Sequence, residues 1–280
     1  MSAHISYRRL IPIGVLHLLV FFTAATAAGT PTDPALTAVI QSPTRDPKLA
    51  ARDGARHPAE ELTFLGLKAH MTVVELWPGG GYWTEILGSY LKPSGHYYIA
   101  LPTEVPSDEQ AISDRWAQRM KDHPERFGAV ELTQLGQGHT TIAPAGSADL
   151  VLTFRNIHNW MGAGEAEAVL QAAFTALKPG GILGVEGHRG RTDQPQDPKA
   201  ENGYVRQDYM IALARKAGFT WVASSEILAN PKDTKDWVDG VWTLPPTLSR
   251  GDTDRARYLA VGEADNFLLK FKKPESKNPR

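Results

Sequence analysis

The chain has 280 residues, 42% hydrophobic and 22% charged, with a formal net charge of −1. That composition is ordinary for a globular protein and long enough for one large domain, and near-neutral charge gives no footprint for nucleic acid or an anionic membrane. There are no cysteines, which excludes disulfides, thiolate catalysis, lipoprotein attachment and cysteine zinc sites.

Residues 1–28 read as an export signal rather than as part of the fold. Arg8 and Arg9 form a basic start, Ile11 to Phe22 an apolar run, and Ala25-Thr26-Ala27 a small-residue cleavage site. The run is short for a membrane span and contains Pro12, Gly14 and His17, so a cleaved signal is expected and no stable anchor after it. The expected location is periplasmic or secreted. Residues 29–47, rich in Pro, Thr, Asp and Ser, read as an extended leader. A domain is expected over 48–273 and a charged tail over 274–280.

From Pro47 to Leu67 a helical segment is expected, broken at His57-Pro58, with proline opening its second part. Arg52, Asp53, Arg56 and His57 lie just before the first strand. They either close over a ligand or form a solvated helix face. Next comes Val73-Val74-Glu75-Leu76-Trp77-Pro78-Gly79-Gly80-Gly81-Tyr82-Trp83-Thr84-Glu85-Ile86-Leu87. An apolar run ending in an acid passes through three glycines, and then Trp83, Ile86, Leu87, Tyr90 and Leu91 recur at helical spacing. Strand, glycine turn and helix form the first half of a βαβ unit. Such a turn points backbone N–H groups at a ligand that only glycine lets approach so closely.

Leu91-Lys92-Pro93-Ser94-Gly95 ends that unit and Tyr97 to Leu101 is a second strand. The phrase returns as Leu177-Lys178-Pro179-Gly180-Gly181, before a strand from Ile182 to Val185. Between them the pattern gives a helix from Ser107 to Met120 and strands Val130 to Leu135 and Asp149 to Phe154. A helix follows with Ala166, Val169, Leu170, Ala173, Phe174 and Leu177 as its apolar stripe. Helix–turn–strand phrases repeated in this way predict an α/β fold, doubly wound, with a mostly parallel seven-stranded sheet in three αβα layers. Gly190 to Asn202, polar with two prolines, is a candidate mobile loop over the site. Tyr204 to Ala217 is a helix and Trp221 to Ile227 a strand. Asn230 to Gly262, with Trp242 and two adjacent prolines, is an insertion before the last strand, Asn266 to Phe271.

Glu75-Leu76-Trp77-Pro78-Gly79-Gly80-Gly81, Phe154-Arg155-Asn156-Ile157-His158-Asn159-Trp160, Asn230-Pro231-Lys232-Asp233-Thr234-Lys235-Asp236 and Gly240-Val241-Trp242-Thr243-Leu244-Pro245-Pro246 resemble a family of exported bacterial predicted methyltransferases with the class I S-adenosylmethionine-dependent, Rossmann-like fold. The resemblance runs from about Arg52 to Lys273. It implies S-adenosyl-L-methionine as cofactor and methyl transfer to a small-molecule substrate, without naming the acceptor. Two departures stand out. Trp77 occupies the place of the first glycine of the usual acid-x-Gly-x-Gly-x-Gly loop, and the second strand ends without an acid, Glu104 being the nearest.

On that resemblance the cofactor-binding candidates are Glu75, Gly79, Gly80, Gly81, Tyr82, Glu104, Arg155 and Asn156. Tyr82 and Trp83 offer aromatic faces to a sulfonium, although Trp83 also sits on a helical core stripe. His158 is the candidate base with His188 in reserve, since a histidine titrates near neutral pH. The other role for His158 is capping the next helix. Arg56, His57, Arg189 and Trp242 are the substrate-binding candidates. No metal is expected, because His158, His188 and Glu186 lack ligand spacing. An exported binding protein that keeps the fold without turnover stays open. A nicotinamide-dependent oxidoreductase is disfavoured by Thr84, which stands where its last glycine would fall.

Overall fold

The computed structural model describes residues 31–103, 106–127 and 129–275, the side chains of 106–113 excepted. Four short helices come first: α1 Pro34–Ile40, α2 Pro47–Ala50, α3 Asp53–Arg56 and α4 Pro58–Leu65. Then follow β1 Thr72–Leu76, α5 Tyr82–Leu91, β2 His96–Pro102, α6 Pro106–Asp122, α7 Pro124–Phe127, β3 Val130–Leu135 and β4 Ala148–Phe154. The remainder is α8 Ile157–Ala163, α9 Ala166–Ala176, β5 Leu177–His188, α10 Gln207–Lys216, β6 Thr220–Ser225, a 3₁₀ turn Gly240–Thr243, α11 Arg255–Val261 and β7 Asn266–Lys272.

The sheet has seven strands in the order β3-β2-β1-β4-β5-β7-β6. β1 pairs in parallel with β2 and β4, and β7 runs antiparallel to β5 and β6. Successive strand residues serve opposite faces, as the pleat demands. Val74, Val151, Leu269 and Phe271 join the core under α8, α9 and α10, whereas Val73, Leu150, Leu152 and Leu268 join the core under α1, α4 and α5. Both faces are thereby covered, which is why the strands read as unbroken apolar runs.

Two expectations change here. The leader at 29–47 is not simply extended: Pro34–Ile40 is helical, with Asp33 capping the Ala35 N–H at 2.8 Å and Leu36 buried. Tyr90 of α5 donates to the same Asp33 at 2.8 Å, so the packed unit starts well before residue 48. Proline fits the first helical turn because its missing N–H is unneeded there. In addition, Lys178-Pro179-Gly180-Gly181 does not precede its strand but lies within β5, as an irregularity in the ladder between Ala148 and Leu150. Gly180 there takes φ 80°, which a glycine adopts without strain.

Candidate active site

β1 and β4 are adjacent and parallel, and the chain leaves them toward opposite sides of the sheet; a crevice beyond strand C-termini forms at such a point. Here a cavity of about 270 Å³ opens. The β1–α5 loop provides Glu75, Trp77, Pro78, Gly79, Gly80 and Tyr82, and the β4–α8 segment gives Phe154, Arg155, Asn156 and His158. β5 supplies His188 and the α2–α3 region Leu49, Arg52 and Arg56; Trp83 and the segment holding Val241, Trp242, Pro245, Pro246 and Thr247 complete the wall. The last segment reaches this far because β6 ends and antiparallel β7 begins on the same edge of the sheet, so the connection between them crosses the crevice.

The glycine loop is fixed from below. Asn156 Nδ2 donates to the carbonyls of Leu76 and Trp77 at 3.0 and 3.1 Å, so this side chain, a cofactor-binding candidate that lines the cavity, also fastens the loop. Glu75 is buried and accepts from Thr84 Oγ1 at 2.7 Å and from the Tyr97 hydroxyl. Burial pushes its carboxyl up to about 7 against those two hydrogen bonds. Trp77 has φ 50°, donates from Nε1 to Leu135 O at 3.0 Å and meets Trp160 edge-on at 5.7 Å. A tryptophan held left-handed stores about 1–2 kcal/mol of strain. His57 and Arg155, at φ 44° and 63°, do likewise, and strained residues gather where geometry serves a site.

Gly79 and Gly80 face open space, with no atom within 4 Å of an added Cβ. Gly81 differs. A Cβ there would lie 2.5 Å from Arg119 Nη1 and 2.9 Å from Trp116 Cη2, so the side chains of α6 occupy the room expected for a ligand. Tyr82 lines the cavity, but Arg56 Cζ lies 4.4 Å from its ring centroid and its hydroxyl donates to Asp53 at 2.6 Å. The aromatic face expected to attract a ligand's cation therefore already seats a protein cation. Trp83 is buried and stacked on Phe154 at 4.3 Å.

His158 and His188 stand with ring centroids 5.5 Å apart, and Trp242 lies 5.7 Å from His158. Both imidazoles are buried. Burial, with the Arg155 charge adding, pushes His158 down to about 4 and His188 well below its ordinary value. Both are neutral at pH 7. His188 Nδ1 is paired with Asn266 Oδ1 at 2.8 Å; since an amide oxygen only accepts, the proton sits on Nδ1 and Nε2 is left as the acceptor. His158 Nδ1 is buried without a partner.

Behind the cavity wall lies a charge cluster that the sequence did not disclose. Glu263 accepts from Arg52 at 2.7 and 2.9 Å and from Arg155 at 2.7 Å, and lies 3.7 Å from Arg56. Burial favours its neutral form, yet Arg52 and Arg155 outweigh that and hold its carboxyl below the ordinary value. Glu186 lies 3.6 Å from Arg155 and burial pushes it up to about 7. Buried Glu61, raised well above its ordinary value by desolvation and then by Glu186, has no hydrogen-bond partner on either oxygen.

Other expected site residues lie elsewhere. His57 forms the left-handed turn joining α3 to α4 and does not line the cavity. Arg189 follows His188 and leaves the chain on the opposite side, pairing with Glu226 at 2.7 Å and Asp265 at 3.6 Å. Glu104 lies outside the described residues. The polar stretch 190–202 is no cover for the cavity: Gln196 bonds the Arg206 N–H at 2.6 Å, and Asn202 O receives the Val241 N–H at 2.9 Å, bracing the insertion from outside.

The solved structures most informative for the fold are a SAM-dependent methyltransferase from Aquifex aeolicus and the [4+2]-cyclase SpnF. The first has a TM-score of 0.53 at 16% identity, covering 81% of this chain and 94% of that one. The second has a TM-score of 0.51 at 15% identity, covering 84% and 85%. The fold is that of the class I methyltransferases. No family model and no curated protein matches the sequence. Identities this low carry the fold alone, and the pairing of a methyltransferase with a cyclase shows one architecture serving two reactions.

Proposed function

We propose that the chain is an S-adenosylmethionine-dependent methyltransferase acting on a small molecule. The observation that carries this reading is the convergence, in one cavity, of two glycines facing open space after β1 with two buried neutral imidazoles after β4 and β5. The residues fit the cofactor at its amino-acid end, where Gly79 and Gly80 admit close backbone approach. Trp77 adds an aromatic face beside them. S-adenosylmethionine supplies an electrophilic methyl group when bound. The protein's own part is positioning, which accounts for much of the rate in such a displacement. Asn156 and Glu75 hold the loop, Trp83, Phe154 and Trp242 keep water from the crevice, and His158 or His188 Nε2 takes the acceptor's proton.

Calorimetric titration with S-adenosylhomocysteine tests the reading. Gly80→Val places bulk in open space without left-handed strain, unlike Gly79→Val at φ 56°. It is expected to weaken binding about tenfold or more with the melting temperature unchanged. Absence of binding by the unaltered protein favours the second reading, a binding protein that keeps the fold. Trp77, left-handed where this fold's cofactor loops carry glycine, is the observation on that side.

The location proposed is outside the cytoplasm, supported by the signal pattern of residues 1–28. Mass spectrometry of the mature protein should find a start between about Ala25 and Gly29; retention of Met1 overturns it.

A further inference from the structure

We propose that the cavity binds a small organic acid, a carboxylate carried on an apolar or aromatic body, with Arg52, Arg56 and Arg155 holding its charge. That this ligand is the methyl acceptor rests on the methyltransferase reading; that it binds here does not.

Three guanidiniums line one cavity, Arg52 and Arg56 from the α2–α3 region and Arg155 from the segment after β4. Like charges gathered at a largely buried place are costly unless balanced. The single carboxylate at their centre is Glu263, which meets Arg52 and Arg155 at hydrogen-bonding distance and Arg56 only at 3.7 Å. Glu186 approaches Arg155 to 3.6 Å and leaves Oε2 without a partner, and Glu61 engages no donor at all. Burial holds both carboxyls toward their neutral forms. Among the described residues only Glu263 accepts hydrogen bonds from any of these three guanidiniums, so positive charge is in surplus beside the cavity.

Arg56 shows where that surplus points. It is 6% exposed and lines the cavity, and its Nε, 3.7 Å from Glu263, makes no hydrogen bond. Its guanidinium carbon lies 4.4 Å from the Tyr82 ring centroid, a cation–π contact that leaves N–H donors for a planar carboxylate. His158, 7% exposed, lines the same space, with its Nδ1 buried and unpartnered. One part of the remaining wall is apolar, formed by the Trp83–Phe154 stack, Trp242 and the Pro245-Pro246 pair. A charged head on an apolar body is the ligand such a wall accepts.

Arg155 and Glu263 leave different strands from the glycine loop, while Arg56 reaches Tyr82 at its end. Arg155 follows β4 and Glu263 precedes β7, while Gly79 and Gly80 follow β1, which has β2 on its other side. Arg155 and Glu263 thus sit over the β4–β5–β7 half of the sheet, with the two imidazoles, where an acceptor's proton would have to go.

Phenylacetate and its neutral counterpart 2-phenylethanol are the probes, titrated into the full chain with tryptophan fluorescence and calorimetry as readouts. Phenylacetate is expected to bind about tenfold or more tightly than the alcohol. Arg56→Met should remove that preference without changing the alcohol's affinity or that of S-adenosylhomocysteine. Should that variant not fold, Arg52→Gln, whose side chain is 22% exposed, makes the same comparison. Glu263→Gln frees the guanidiniums and should tighten phenylacetate several-fold, a gain that damage to the fold does not produce. Equal affinity for acid and alcohol overturns the proposal. So does an arginine variant that weakens S-adenosylhomocysteine as much as phenylacetate, because the arginines then serve the cofactor's own carboxylate. Arginine-dependent binding of phenylacetate with no binding of S-adenosylhomocysteine sustains the anion site and removes the methyltransferase reading instead.

Discussion

His158 illustrates how far environment moves a side chain from its solution behaviour. An exposed imidazole takes up a proton near pH 6.5. Here burial, and then the Arg155 charge, move the midpoint to about 4, so above about pH 5 the ring is a neutral base throughout. Its C–H resonances should stay unshifted between about pH 8 and 5 and move only in stronger acid. A midpoint near 6.5 would mean a solvated ring and would remove it as the cavity's base. The residue type and its place after a strand were legible in sequence, and so were Glu75, Gly79 and Gly80. Glu263 was not, because its partners Arg52 and Arg155 lie 211 and 108 positions away. Nor was the fate of Tyr82: its ring is an open aromatic face in sequence and a seat for Arg56 in the fold.

Among elements, β1 and α5 were legible because the apolar period changes from strand to helix across three glycines. The direction of β7 was not, since a buried strand alternates identically whether its neighbours run parallel or antiparallel. That direction has a functional result. It starts β7 on the ligand edge, with His188 paired to Asn266 in register, so the preceding insertion must cross the crevice. The crossing is braced at Gly240, where a Cβ would stand 2.2 Å from Asn202 O, and at buried Asp233, which accepts from Tyr204, Trp237 and two backbone N–H groups. α1 was missed for a different reason. Proline-rich composition suggested an extended chain, yet Asp33-Pro34 is also a helix start, and contacts with α4 and α5 decide between the two.

For the molecule as a whole, the carboxyls behind the cavity make stability depend on pH. Glu61 sits on α4 and Glu186 on β5, so both are desolvated by the same packing that closes the fold. The sign follows from the direction of the shift. Glu61 titrates near its ordinary value when unfolded and well above it when folded. In strong acid both states hold the proton and burial brings no ionisation penalty. As pH rises past about 4.5 the unfolded chain releases its proton while the folded one keeps it, and stability falls by about 1.4 kcal/mol per pH unit until the folded group ionises. Glutamine is nearly isosteric with the protonated acid and does not titrate. Glu61→Gln should therefore match the unaltered protein in denaturant midpoint at about pH 4.5 and exceed it at about pH 7. If Glu61 were instead ionised and working as a counter-ion to the arginines, the same change would destabilise the protein at neutral pH. Denaturation curves at the two pH values separate these outcomes by sign.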